Sequence, residues 1–166
     1  MSNPRSPQFG AILFRASELI GLQGDAAFKR LGVGVPGYWI SIVLALHRRG
    51  PLSSSDLSEH IGISRQVIES RLKPGVKSGF FESRIDPKDS RRRIYEISAA
   101  ARPIADRTVA IMIDFESVYA RLWEEMGIDL EAALLAMEAA LKRQGLTERL
   151  CALHPGYLDE LESLTS

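Results

Sequence analysis

Apolar residues recur three and four positions apart through most of this chain, the period of helices that pack by one face. Between Phe9 and Leu22, Ile12, Leu13, Ala16, Leu19 and Ile20 mark a first helix behind Pro7, and the pattern resumes over Ala26 to Leu31. Gly32-Val33-Gly34-Val35-Pro36-Gly37 interrupts it, and Tyr38 to Arg49 is again helical, stopped by Gly50-Pro51. Ser53-Ser54-Ser55-Asp56 offers a serine cap with an acid three residues on, so a short helix runs through His60 and stops near Gly62. Ser64 caps the next helix, which carries Ile68, Leu72 and Val76 on one face and ends at Ser78-Gly79. Two helices around a glycine-containing turn have helix-turn-helix spacing.

Inside the second of these helices Pro74-Gly75 predicts a kink or early break. Proline removes a backbone donor and costs about 3 kcal/mol in a helix interior, which leaves Val76 to supply the apolar contact there.

The pattern then changes. Phe80 to Ile85 and Arg93 to Ile97 are rich in aromatic and β-branched residues and flank the polar turn Asp86-Pro87-Lys88-Asp89-Ser90-Arg91-Arg92-Arg93, which predicts a hairpin with a long basic tip. Ser98 caps a long helix in which Ile104, Thr108, Ile111, Phe115, Val118, Leu122 and Met126 form a stripe, with Pro103 near its start. Asp129 caps a last helix carrying Leu130, Leu134, Met137 and Leu141. The expected fold class is mainly α with a small β-hairpin wing, a winged helix-turn-helix with terminal helices. The long stripe needs a partner surface. A chain that folds its ends back could bury it, but a two-fold homodimer is the favoured reading.

With 45% apolar and 25% charged residues, the chain can bury a core. No apolar run approaches the ~20 residues of a membrane span and Met1 to Arg5 lacks an apolar signal core, so the expectation is a cytoplasmic protein with no membrane partner. The net charge of zero argues against a nucleic-acid binder, but its distribution reverses that. Nine basic residues stand against four acidic ones between Ser64 and Tyr95, and eleven acidic against four basic from Asp114 onward. A basic middle and an acidic end orient a protein on a polyanion.

Gly62-Ile63-Ser64-Arg65-Gln66, followed by Asp86-Pro87-Lys88-Asp89-Ser90-Arg91 and Ile97-Ser98, resembles the recognition-helix start, the Asp-x-Arg wing and the strand end of the MarR family of bacterial transcriptional regulators. Val35-Pro36-Gly37-Tyr38-Trp39 resembles that family's entry to its second helix, and the resemblance spans Phe9 to about Leu150. It implies one domain over residues 1–166, with dimerisation helices at 8–31 and 99–153 around a DNA-binding core at 36–98. It further implies a homodimer on a pseudo-palindromic operator in double-stranded DNA, acting as a repressor and not an enzyme. In such a dimer each recognition helix enters a major groove, and Asp89 holds Arg91 for an adjacent minor groove.

The candidate DNA-binding residues are Ser53, Ser64, Arg65, Gln66, Glu69, Ser70, Lys73, Arg84, Lys88, Asp89, Ser90, Arg91, Arg92 and Arg93. Gln66 suits adenine, Arg65 guanine or phosphate, Glu69 a cytosine amine and Lys73 phosphate. The resemblance also implies a cavity for a small aromatic or phenolic effector, for which Arg15, Tyr38, Trp39, His47, Ile111 and Phe115 are candidates, though Trp39 and Phe115 also suit a core.

Other motifs carry less. Gly32, Gly34 and Gly37 spell G-x-G-x-x-G, but a helix precedes them where a nucleotide fold needs a strand. Ser70-Arg71-Leu72-Lys73 spells S-x-x-K without its companion motifs. His47, His60, His154 and Cys151 are too scattered for metal-ligand spacing, and no cofactor is expected. Two alternatives stand beside the main reading. One is a regulator that senses oxidation through Cys151, and the other is a winged-helix interaction module without specific DNA binding, supported by the break expected at Pro74-Gly75.

Overall fold

The computed structural model describes residues 8–156. Pro7 and the acidic Asp159, Glu160 and Glu162 lie outside them. The chain forms two compact units, one running through Asp114 and the other starting at Phe115.

In the first unit, helix α1 spans Phe9–Arg30 without interruption. Gly21 and Gly24 cost about 1 kcal/mol each in helix propensity but keep their backbone donors, so the expected pause after Leu22 does not occur. A 3-10 turn, Gly37–Trp39, leads into α2, Ile40–Arg49. Strand β1 is only Leu52–Ser53, and α3, Ser54–Ile61, follows directly. The expected cap forms, since Asp56 N–H donates to Ser53 Oγ while the Asp56 carboxylate accepts from Ser53 N–H at 3.0 Å. Helix α4 is Arg65–Lys77, capped by Ser64.

Helix α4 corrects the expected break, because it continues through Pro74. Three contacts hold it together there. Trp39 Nε1 donates to the carbonyl of Arg71, three residues before the proline, at 2.8 Å. The C-terminus closes through Gly79, where Phe80 N–H donates to Gly75 O at 2.9 Å and Gly79 N–H to Val76 O at 3.1 Å. This end requires the left-handed backbone that Gly79 adopts at φ 78°. Gly75 is buried beneath Phe81 and Trp39, so it is the glycine and not the exposed Val76 that completes the inner face with Ile68 and Leu72. Pro74→Ala should therefore raise stability by about 1–2 kcal/mol, the regained helix propensity less the chain entropy that proline removes. An unchanged or lower urea midpoint would mean that the proline shapes the helix usefully.

Strands β2, Phe81–Asp86, and β3, Asp89–Ile97, form an antiparallel hairpin, and β1 adds to the other side of β3 through Leu52 opposite Tyr95 and Ser53 opposite Ile94. The second strand starts four residues before the expected Arg93, so the tip is short and Arg91 to Arg93 lie along a strand. Pro87 fixes a negative φ at the turn, which excludes the primed turns that suit two-residue hairpins, and a register shift between Ile85 and Asp86 takes up the mismatch. Phe28, Trp39, Ile42, Leu46, Leu57, Ile68, Leu72, Phe81 and Ile97 are central to one apolar core.

Helix α5 is Arg102–Met126. Ser98 precedes it by one turn, accepting from Ala101 N–H at 3.2 Å and donating to Gly79 O at 2.7 Å. Pro103 occupies the first turn of α5, where its missing donor has no helical partner to lose. The helix crosses from the first unit into the second. There α6, Leu130–Arg143, begins at the expected Asp129 cap but is not the last helix, because α7, Leu146–Leu153, follows. Arg149 of α7 donates to the carbonyls of Ala140 and Gln144 at 2.9 Å, a cation placed at the negative end of α6.

Candidate nucleic-acid interface

Helix α4 and the β2–β3 wing flank an open groove of about 560 Å³, with the start of α3 at its base. Arg65, Glu69, Leu72, Lys73 and Val76 line it from α4, Arg91, Arg92, Arg93 and Tyr95 from β3, Ser83 from β2, and Ser53 to Ser55 from the α3 start. Five of these side chains are cationic, and Glu69 is the acid among the lining residues. Such a surface suits a chain of phosphates better than a neutral ligand.

The five cations differ in how they are held. Arg91 is loosely held, with its side chain 92% exposed and its Nε 3.6 Å from Asp89 Oδ1. Asp89 takes its short hydrogen bond from the Arg91 backbone N–H at 3.0 Å, and Asp86 accepts likewise from Lys88 N–H at 2.8 Å, so the two acids rigidify the hairpin end. The expected charge-assisted hydrogen bond from the Arg91 side chain to Asp89 is thus a looser ion pair. Arg93 donates to Ser83 Oγ across the hairpin at 3.0 Å. Arg84, outside the groove, is paired with Glu96 at 3.0 Å.

Arg92 turns back into the protein. Its Nη2 donates to Ser53 Oγ at 2.8 Å and to both Asp56 oxygens at 2.9 and 2.8 Å. Burial works against ionisation of Asp56, but hydrogen bonds from Ser53 and the Arg92 guanidinium outweigh it and hold the carboxyl below the usual carboxylate range. Ser53, expected at the DNA surface, is itself buried as the α3 cap. Ser64, which caps α4, and Arg65, Gln66, Ser70 and Lys73 along it are exposed. Glu69 accepts from Arg65 Nε at 2.8 Å and Ser54 Oγ at 3.0 Å, and these two bonds lower its pKa. Sequence reasoning missed Ser54, Ser83 and Asp56 as members of this site. Asp56 was visible only as a helix-cap acid, and the two serines carry no signal of their own.

The candidate effector residues are dispersed by role. Trp39 is in the core, with ring centroids 5.3 and 5.2 Å from Phe80 and Phe81, and Tyr38 packs edge-on against it at 5.9 Å. His47 Nε2 lies 2.9 Å from Asp106 Oδ1, Ile111 packs against the core, and Arg15 is exposed on α1. In the second unit Phe115 packs against Tyr119 with centroids 6.2 Å apart. Cys151 is buried in α7. Among the described residues no cluster of His, Cys, Asp or Glu could hold a metal, and no helix is long and apolar enough to cross a membrane.

A helix-turn-helix whose second helix is flanked by a basic antiparallel wing is a winged helix-turn-helix protein. No protein-family model matches the chain. The transcriptional regulator AdcR of Streptococcus pneumoniae is 33% identical over 64 residues, 39% of this chain and 44% of AdcR, so the chain matches less than half the length of that relative. The M. tuberculosis transcriptional regulator MOSR, solved in complex with DNA, has a TM-score of 0.61 at 17% identity, covering 86% of this chain and 97% of MOSR. A MarR-family transcription regulator of solved structure gives 0.58 at 19% identity, over 81% of this chain and 93% of its own. The structural neighbours include MarR-family regulators, and this chain has their fold.

Proposed function

We propose that the chain belongs to the MarR family and acts as a homodimeric transcriptional regulator, a repressor that binds a pseudo-palindromic operator and is released by a small aromatic or phenolic ligand. The observation that carries the DNA reading is the convergence of Arg65 and Lys73 from α4 with Arg91 and Arg93 from β3 around one open groove. A helix of this kind fits a major groove, and strand-borne arginines beside it reach phosphates and the neighbouring minor groove. Residues 36–98 carry that role, and 8–31 with 99–153 carry dimerisation. The dimer reading is supported by the exposed Phe9, Ile12, Phe14, Leu19 and Ile20 on α1, and by the exposed Val118, Leu122 and Met126 on α5. Exposed apolar residues in such number on each helix favour association. Repression and ligand release rest on the family resemblance. The unbroken α4 removes the support for an interaction module without DNA binding, and the burial of Cys151 gives no support to oxidation sensing.

Selection of genomic fragments by the purified protein, followed by titration at several salt concentrations, tests this. The expected result is a two-fold site bound ~10³-fold or more over scrambled DNA. Uniform, steeply salt-dependent binding to all fragments would overturn the operator reading. Light scattering should give twice the 18.4 kDa chain mass, and a monomer at micromolar concentration would overturn the dimer.

A further inference from the structure

Glu69 is a carboxylate on the face of α4 that the DNA reading turns toward phosphates, where an acid weakens binding unless it serves another purpose. One of its oxygens, Oε1, accepts two hydrogen bonds, from Ser54 Oγ and from Arg65 Nε. Ser54 is 6% exposed at the start of α3, so the carboxylate is anchored from a second helix and not by α4 alone. Arg65 reaches farther out than Glu69, with side-chain exposures of 65% and 40%. With Nε engaged, the end-on pair of Nη groups remains free, and that edge matches the O6 and N7 acceptors of guanine.

We infer that Glu69 is a specificity-determining positioning residue, which holds Arg65 so that its free Nη edge reads a guanine in each half-site, and is not itself a reader of cytosine. The inference rests on the DNA-binding reading above. A long side chain ordered before binding loses less freedom on meeting its base, whereas a wrong base leaves it without a partner. The acid also lowers affinity for DNA of any sequence, so its contribution is discrimination and not tightness.

The test titrates the selected operator, and a panel with each base pair of a half-site replaced, against wild type, Glu69→Ala, Glu69→Gln, Arg65→Ala and the double alanine variant. Wild type should prefer guanine at one position by about tenfold or more. Glu69→Ala should lose most of that preference while binding scrambled DNA as tightly as wild type or tighter. Glu69→Gln, which keeps the Oε1 acceptor, should retain part of it. Arg65→Ala should abolish the preference, and adding Glu69→Ala should change the base profile no further. If Glu69→Ala fails to fold, Ser54→Ala, which frees the carboxylate without touching α4, should lose part of the same guanine preference.

Loss of discrimination at a different base pair on Glu69→Ala, or a changed profile when it is added to Arg65→Ala, would make Glu69 a direct reader and overturn the inference. A selected operator that Glu69→Ala reads as wild type does would overturn the inference alone. No selected operator at all would overturn the regulator reading and this inference with it.

Discussion

Gly75→Ala should cost this protein about 3 kcal/mol of stability, enough to lower its melting temperature by roughly 6–12 °C. A Cβ built on Gly75 falls 2.2 Å from Phe81 Cδ2, 2.6 Å from Phe81 Cε2 and 3.1 Å from Trp39 Cζ2. These atoms cannot swing aside. Phe81 is 1% exposed, and its ring is locked against Phe80 and Trp39 with centroids 5.1 and 5.2 Å away. Trp39 is further fixed by its hydrogen bond to Arg71 O, so moving the ring cluster also loosens α4 beside Pro74. Phe81 occupies the volume that any side chain at position 75 would fill. Urea unfolding followed by tryptophan fluorescence checks this. Phe81→Leu should recover part of the loss in the Gly75→Ala background, and additive effects would show that the two residues do not compete for one space.

The same residues show what could be read from sequence and what could not. Helices were legible because period and caps are local, so Ser53, Ser64 and Asp129 cap helices as their neighbours imply. The expected break at Pro74 failed because a tertiary contact to Arg71 from Trp39, thirty-two residues earlier, and the local closure at Gly79 hold the chain there. The wing was legible as a hairpin, but Arg91 to Arg93 lack the apolar alternation that marks a strand, and their place in β3 comes from backbone pairing alone. Strand β1 has two residues, too few for any pattern. Helix α7 was missed because Leu146, Leu150 and Leu153 are too few to set a period. At the site, residue type and neighbourhood identified the cations, but their partners lie far along the chain. Asp56 and Arg92 are thirty-six positions apart, and Ser54 and Glu69 fifteen. Such pairs divide cations that can meet DNA from cations that hold the protein in shape.

Arg91 and Arg92 are adjacent in sequence, and their alanine variants should fail in opposite ways. Arg91→Ala removes an exposed guanidinium held among the described residues by a 3.6 Å ion pair to Asp89, so its melting temperature should match that of wild type. Its operator affinity should fall by about 10- to 100-fold. If the contact is to a phosphate, the slope of log affinity against log salt should become shallower by about 0.9. Arg92→Ala removes the donor shared by Ser53 and Asp56, and should cost about 1 kcal/mol of stability while leaving the salt slope unchanged. The stability effect should depend on pH. Asp56 has a folded-state pKa below its unfolded one, so the pair's contribution is complete above the unfolded pKa and is lost as pH falls through the folded one. The gap between wild type and Arg92→Ala should therefore be full at pH 7 and close in acid, below about pH 4. Should Arg92→Ala flatten the salt slope while leaving stability alone, Arg92 would be a phosphate contact that leaves Asp56 on binding, and the wing would owe its position to β1 pairing instead.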